Sequence, residues 1–285
     1  MPEPRVSIAE SGAYRRRGRA ERVAAAVGRV VGAGLLRQGL RSLYHLLLGL
    51  RSGGKGLLCR LPGGEAVRVL PAYRFVTWND AEYQAFRAAL APGDTALDVG
   101  ANVGGYSVLF GQWVGGQGRV LAFEPAPDAF DGLVRHVALN GVQGVVTPIR
   151  AAVSDDSGCG TLLADGFHGT NRLVDSRNAE GSLVAVPTVT IDEVCEREGL
   201  SPTLIKVDVE GGELAVLRGA RRTIARMGDR LALFVEMHPT LWSQSGVSVA
   251  DVQAELAAQG LRAVPLSPAG DPWALEGECL RLVRG

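Results

Sequence analysis

Apolar runs and amphipathic stretches alternate through the middle of the chain. Thr95–Val99, Arg119–Phe123, Val145–Val153, Leu204–Val209 and Leu231–Met237 each read as a buried strand. Between them, stretches near 105–114, 128–140 and 212–226 carry apolar residues at helical spacing. Strands without apolar–polar alternation are covered on both faces, so this rhythm predicts an α/β fold: a mostly parallel sheet between layers of helix.

Upstream, Gly56–Leu61 and Glu65–Leu70 flank Pro62-Gly63-Gly64 and predict a β-hairpin over 56–70. A helix from about Asp80 to Leu90 follows, with Asn79 or Asp80 as its cap and Pro92-Gly93 as its stop. Between Ser154 and Val189 the alternation breaks. Thr161-Leu162-Leu163-Ala164, a polar loop with Gly166, Gly169 and Asn171, and then Leu183–Val189 predict an inserted hairpin over about 155–190. Ser248-Val249-Ala250-Asp251 opens a last helix with a near capping box, ending at Gly260. Short strands near Arg262–Pro265 and Leu280–Val283 close the chain.

The net charge of zero hides an asymmetry. Residues 1–60 hold 12 Lys and Arg against 3 Asp and Glu, while the remainder holds 18 against 27. The first 55 residues form a basic arm, disordered over about 1–20 and then amphipathic, with Arg22, Arg29, Arg37 and Arg41 near one side of a helix. Such a segment either touches an anionic membrane or packs with a solvated arginine face. Residues 56–285 form the main domain. Its acidic balance argues against nucleic acid as the substrate. The four scattered cysteines, with no CxxC pair, fit a reducing compartment. The longest clean apolar run, Leu43–Leu50, is too short to span a bilayer, and no secretory signal is visible. A cytoplasmic protein, peripheral to a membrane at most, is expected.

Candidate chemistry begins at Thr95–Ser107, where an apolar strand runs through Asp98 into Gly100-Ala101-Asn102-Val103-Gly104-Gly105 and a helix. In doubly wound sheets a ligand sits in the crevice beyond such a strand end. A dinucleotide fingerprint places a glycine where Asn102 stands, so that the backbone can approach a pyrophosphate. An asparagine there crowds a pyrophosphate but hydrogen-bonds a carboxylate or amine, which favours S-adenosylmethionine over NAD. Glu124 ends the second strand 20 residues after Gly104, the spacing at which an acid receives ribose hydroxyls.

These residues resemble the FkbM-type S-adenosylmethionine-dependent methyltransferases. The resemblance rests on Leu97–Gly104, on Phe123-Glu124-Pro125, on Thr190-Ile191-Asp192, and most of all on Ile205-Lys206-Val207-Asp208-Val209-Glu210-Gly211-Gly212-Glu213. It implies a class I methyltransferase Rossmann-like fold of seven strands with the last strand antiparallel, and methylation at a hydroxyl of a sugar or secondary metabolite. By position it assigns Asp98, Gly100, Asn102, Gly104, Tyr106 and Ser107 to the methionine end of the cofactor. It assigns Glu124 to the ribose and Ala152-Val153-Ser154 to the adenine, and Asp208 is expected to touch the cofactor as well. Arg172 departs from the small, Ser-rich loop expected there and points to acceptor choice.

Asp208 and Glu210 end the fourth strand, and Glu236 and His238 end the fifth. Spacing of two puts each pair on one face. An alkyl hydroxyl is a poor nucleophile and needs help losing its proton. Three accounts stand open. His238 is the general base, its ordinary pKa suiting neutral pH. Alternatively, Asp208, Glu236 and His238 hold a hard divalent ion, the account less favoured. Or the acids are structural, with Glu210 and Glu213 capping the next helix and Lys206 neutralising one of them. Among the other histidines, His168 in the insertion is the runner-up base, His136 caps its own helix, and His45 packs in the arm. Trp78, Trp113 and Trp242 read as core or pocket wall.

The expected activity is therefore O-methylation of a small hydroxylated molecule using S-adenosylmethionine. Two alternatives remain: an NAD-dependent oxidoreductase, and a membrane-associated cofactor-binding protein without turnover.

Overall fold

The computed structural model describes residues 55–74, 76–164, 171–174, 181–266, 273 and 277–285. The basic arm up to residue 54, His45 and His168 lie outside them. The chain divides into two compact units, residues 1–80 and 81–285. In the first, β1 (Leu57–Arg60) and β2 (Ala66–Val69) pair antiparallel around the Pro62-Gly63-Gly64 turn, with Leu57 opposite Val69.

In the second unit a helix, α1 (Asp80–Ala89, all but its first residue in this unit), precedes the large sheet. The chain then alternates through β3 (Thr95–Val99), α2 (Gly105–Val114), β4 (Arg119–Phe123), α3 (Pro127–Leu139) and β5 (Val146–Ile149). It returns after an insertion with α4 (Ile191–Arg197), β10 (Leu204–Val207), α5 (Glu213–Arg218), α6 (Arg221–Met227) and β11 (Ala232–Met237). It ends with α7 (Pro239–Trp242), α8 (Val249–Ala258), β12 (Leu261–Pro265) and β13 (Glu278–Arg284). Seven strands form one sheet in the order β12-β13-β11-β10-β3-β4-β5, with β13 antiparallel to both neighbours. This is the expected mostly parallel Rossmann-like α/β fold of a class I methyltransferase, including its antiparallel last strand.

Strand pleating sends alternate side chains to opposite faces. Leu97, Val99, Leu121, Phe123, Ile205, Val207, Leu233 and Val235 form one buried cluster with Ile191, Val194, Leu214, Leu217, Ile224 and Val252 of α4, α5, α6 and α8. On the other face Phe234 meets the Phe86 ring of α1 at 4.8 Å, and Phe86 meets Phe110 of α2 at 5.7 Å. Helices therefore cover both faces. The second face carries Asp98 directly opposite Lys206 in register, and Lys206 opposite Phe234.

Two expected elements are corrected. The apolar run 145–153 is not one strand. After edge strand β5, the Ala151 N–H turns back to the Ile149 carbonyl (3.0 Å), and β6 (Ala152–Val153) leaves for a separate sheet. In that sheet the expected inserted ribbon is present, β7 (Gly158–Ala164) pairing antiparallel with β9 (Ser182–Val189), and β6 and β8 (Arg172–Val174) widen it to four strands in the order β6-β9-β7-β8. The helix expected over 212–226 breaks in two at Gly219. There a Cβ would lie 2.1 Å from the Ser154 carbonyl oxygen. Asp192 caps the second half, accepting from Arg222 N–H (2.9 Å) and Thr223 N–H (2.7 Å), so its carboxylate meets the positive end of α6. The capping box at Ser248 and Asp251 is complete.

Candidate active site

The glycine loop turns on one close approach. Gly100 sits at φ 79°, and a Cβ there would lie 1.7 Å from the Asp208 carbonyl oxygen, so no larger residue fits between β3 and the end of β10. Asn102 takes the same left-handed region (φ 49°), which is uncommon for a residue with a side chain. Glu124 holds it there, accepting from the Asn102 N–H through one oxygen (2.8 Å) and from the Ala126 N–H through the other (2.8 Å). Burial pushes the Glu124 carboxyl up to about 7 despite those two bonds. Its remaining lone pairs are available to the cleft beside it.

That cleft is lined by Gly100, Asn102, Phe123 and Glu124, by Ala152, Val153, Leu162 and Arg172 of the small sheet, and by Asp208 and Glu210. Six of the anticipated cofactor residues thus meet in one place: Gly100, Asn102, Glu124, Ala152, Val153 and Asp208. The others lie elsewhere. Ser107 is fully buried and donates to Asp98 (2.5 Å), and Asp98 is itself 1 % exposed, so both sit beneath the loop rather than lining the cleft. The Tyr106 ring packs edge-on against Phe86 at 5.0 Å and under the Lys206 ammonium at 5.8 Å. Gly104 begins α2 against Leu133, and Ser154 is buried with its hydroxyl on Asp155. His136 does not cap its own helix. Its Nδ1 meets the Val103 carbonyl at 2.6 Å and so ties α3 to the glycine loop. Burial lowers its pKa, which keeps the ring neutral and makes Nδ1–H the donor.

Behind the loop, Lys206 Nζ lies 3.1 Å from Asp208 Oδ2 and 3.7 Å from Asp98 Oδ1. Burial alone would lower the Lys206 pKa, but the charges of Asp208 and Asp98 outweigh it and raise it, so the ammonium stays charged. Burial raises the Asp98 carboxyl, with Lys206 pulling the other way.

The ends of β10 and β11 carry the remaining groups. Glu213, the first residue of α5, is 0 % exposed and gathers three donors. These are His238 Nδ1 at 2.7 Å, Trp242 Nε1 at 2.5 Å and the Gly211 N–H at 3.0 Å. The last reaches back to the turn before α5, outside the helix, so it is not the helix cap anticipated for Glu213; the first two were not anticipated. They fix the imidazole so that Nε2 faces Glu210 at 3.6 Å and Glu236 at 3.8 Å. Burial pulls the His238 pKa down, yet the Glu213 hydrogen bond and the charges of Glu213, Glu210 and Asp208 hold it up at about 9. The expectation that His238 keeps its ordinary pKa is therefore corrected: the imidazole is charged at neutral pH. Burial and the nearby Asp208 charge raise Glu236 to about 8. Glu210 also stands in the left-handed region (φ 50°), a local strain of the kind kept at working sites. Asp208, Glu236 and His238 bring one donor atom each within 4.8 Å of one another, the geometry a divalent ion would need among the described residues.

The sequence profile of the Methyltransferase FkbM domain matches residues 98–263, which include both the glycine loop and this cluster. The chain belongs to the FkbM methyltransferase family. Membership places it among methyltransferases and not among NAD-dependent oxidoreductases. It is similar to a hexuronic acid methyltransferase, AglP, of Haloferax volcanii, with 32% identity over 151 residues that cover 51% of this chain and 56% of that protein. It is also similar to the 31-O-demethyl-FK506 methyltransferase FkbM of Streptomyces tacrolimicus, with 30% identity over 196 residues, 56% of this chain and 74% of that one. The chain thus spans just over half the length of its archaeal relative. A solved methyltransferase FkbM from Methylobacillus flagellatus KT is 19% identical, with a loose TM-score of 0.44 over 66% of this chain and 43% of that one. Among the described residues, no helix of this FkbM-family chain is long and apolar enough to cross a membrane.

Proposed function

We propose that this FkbM-family methyltransferase uses S-adenosylmethionine to methylate a hydroxyl of a small molecule, a sugar unit or a natural-product scaffold. The carrying observation is the pairing of Glu213 with His238. A fully buried carboxylate fixes one ring nitrogen and leaves the other facing the Asp208–Glu236 mouth, beside the cleft. The cleft suits the cofactor: Phe123, Val153 and Leu162 offer an apolar bed for adenine, and Glu124 keeps acceptor capacity for the ribose hydroxyls. Asn102 and Gly100 shape the methionine end. When bound, S-adenosylmethionine supplies a methyl group activated by a cationic sulfur. Names of the relatives support oxygen as the methyl acceptor in one case and a sugar acid as the substrate in the other.

In this proposal His238 Nε2 takes the acceptor hydroxyl proton, and Glu213 keeps the ring's orientation and stabilises the imidazolium that forms. The imidazole must first be free of its own proton, either above about pH 9 or once positive charge in the cleft has displaced it. Asp208 and Glu236 orient the acceptor from the adjacent strand ends. Lys206 offsets part of their charge. Incubation with labelled S-adenosylmethionine and a panel of sugars and hydroxylated metabolites, read by mass spectrometry, tests this. A gain of one methyl at oxygen is expected, and transfer only to nitrogen or carbon would overturn it.

A further inference from the structure

We infer that Arg172 binds an anionic group of the acceptor, so the molecule methylated carries a carboxylate or phosphoryl group as well as its hydroxyl. This rests on the proposed methyl transfer. Arg172 opens β8 of the small sheet and lines the same cleft as Glu124. Among the described residues it is the one basic side chain lining that cleft, which also holds Glu124, Asp208 and Glu210. Elsewhere in the unit Arg226 and Arg284 meet neutral oxygens, while Arg119, Arg221 and Arg222 meet the carboxylates of Glu198, Glu255 and Asp192. Arg172 meets none among the described residues. Its Nη2 donates to Gln244 Oε1 at 2.8 Å, and that neutral amide orients the guanidinium without cancelling its charge.

The position of Gln244 decides which ligand this charge serves. Gln244 follows His238 by six residues, just beyond β11 and α7. The bond therefore ties the guanidinium to the segment that follows β11, the strand whose end carries Glu236 and His238, where the acceptor hydroxyl is proposed to sit. With one donor spent on Gln244, the guanidinium keeps others in a planar fork, the shape that matches a carboxylate or phosphate through two parallel bonds. A neutral sugar leaves that fork unmatched.

The test titrates phenyl glucuronide, phenyl glucoside and glucose 1-phosphate into the protein saturated with S-adenosylhomocysteine, alongside methyl-transfer rates for each. Wild type is expected to bind at least one acidic ligand on the order of tenfold or more tightly than phenyl glucoside. Arg172→Ala should remove that preference and Arg172→Lys restore part of it, with S-adenosylhomocysteine affinity within about twofold of wild type in both. Preference for glucuronide or for phosphate identifies which anion is read. Acidic ligands bound no better than the glucoside would overturn the inference. So would an Arg172→Ala loss that falls on S-adenosylhomocysteine, which would assign the arginine to the donor's carboxylate. Selective binding without methyl transfer to any ligand upholds Arg172 and counts against the proposed function instead.

Discussion

Glu213→Gln isolates the buried pair on which the proposed chemistry depends. The amide keeps the shape of the carboxylate and can still accept from the Trp242 indole, so the change removes charge with little loss of volume. In the wild type, His238 moves from its ordinary 6.5 to about 9. A rise of that size corresponds to about 3 kcal/mol in favour of the charged ring, since each tenfold gain in proton affinity is worth about 1.4 kcal/mol. A base with a raised pKa in the folded state contributes stability that is complete below pH 6.5 and is lost as pH climbs toward 9. With Glu213 neutral, the strongest opposition to burial is gone and Glu210, Asp208 and Glu236 remain, so the His238 midpoint should fall to a pH roughly one to two lower. Histidine NMR titration, with His238→Ala for assignment, reads this directly. Thermal melts between about pH 6 and 9.5 should show that the variant has lost much of the wild type's alkaline decline from this pair. If His238 is the base, kcat/KM of the wild type rises with pH toward about 9, and the limb moves to lower pH in the variant. A His238 midpoint that stays within about 0.5 of the wild-type pH would refute the claim that Glu213 sets its charge.

Two further outcomes follow from the same geometry. Glu124→Gln should weaken S-adenosylhomocysteine binding about 10- to 100-fold by calorimetry, because the amide offers the ribose one acceptor oxygen and no charge. In the wild type that affinity should fall as pH drops below about 7, where Glu124 takes up its proton, and an affinity flat from pH 6 to 8 would sink the assignment. Methyl transfer should survive exhaustive chelation, since Lys206 at 3.1 Å from Asp208 and the charged His238 already supply the cluster with positive charge. Loss of activity restored by magnesium or manganese would instead give Asp208, Glu236 and His238 to a metal.

What could be read in the sequence was what depends on neighbours along the chain. Strand and helix rhythm, the left-handed glycine turn and the capping box at Ser248 are local, and all appear in the structure. Pairings set by register are not. The family resemblance put Asp98 and Ser107, on either side of the loop, at the methionine end of the cofactor. Yet β3–β10 pairing puts Lys206 across from Asp98, and Ser107 bonds to that carboxylate from α2, so both lie below. Glu213 looked like a helix cap because it begins α5, but the backbone N–H it accepts, from Gly211, lies outside the helix. Its larger task depends on His238 and Trp242, 25 and 29 residues away, which reach it only through the β10–β11 pairing and the turn into α7. The run 145–153 misled for a related reason: apolar character says a strand is buried but not in which sheet.

Three groups around the cleft are displaced in the same direction. Glu124 and Glu236 hold their protons to about 7 and 8, and His238 holds its proton to about 9. For the two acids burial is the leading cause, but carboxylate neighbours add to it, and for His238 the neighbours overcome burial. An interior that resists each further negative charge is one in which an added cation is stabilised. In the proposed reaction that cation is the sulfonium, whose charge falls as the methyl leaves, so the field by itself favours the donor more than the transition state. The advantage must then come from what the field does to the acceptor. A cation in the cleft lowers the His238 pKa and frees Nε2 to take a proton when both substrates are present. Arg172, a positive charge on the rim of the same cleft, would turn an acidic acceptor so that its hydroxyl faces Nε2. Reversing that rim with Arg172→Glu should therefore cost an acidic acceptor more than Arg172→Ala does, on KM far more than on kcat. Equal losses from the two variants would mean that the charge of Arg172 does not orient the acceptor.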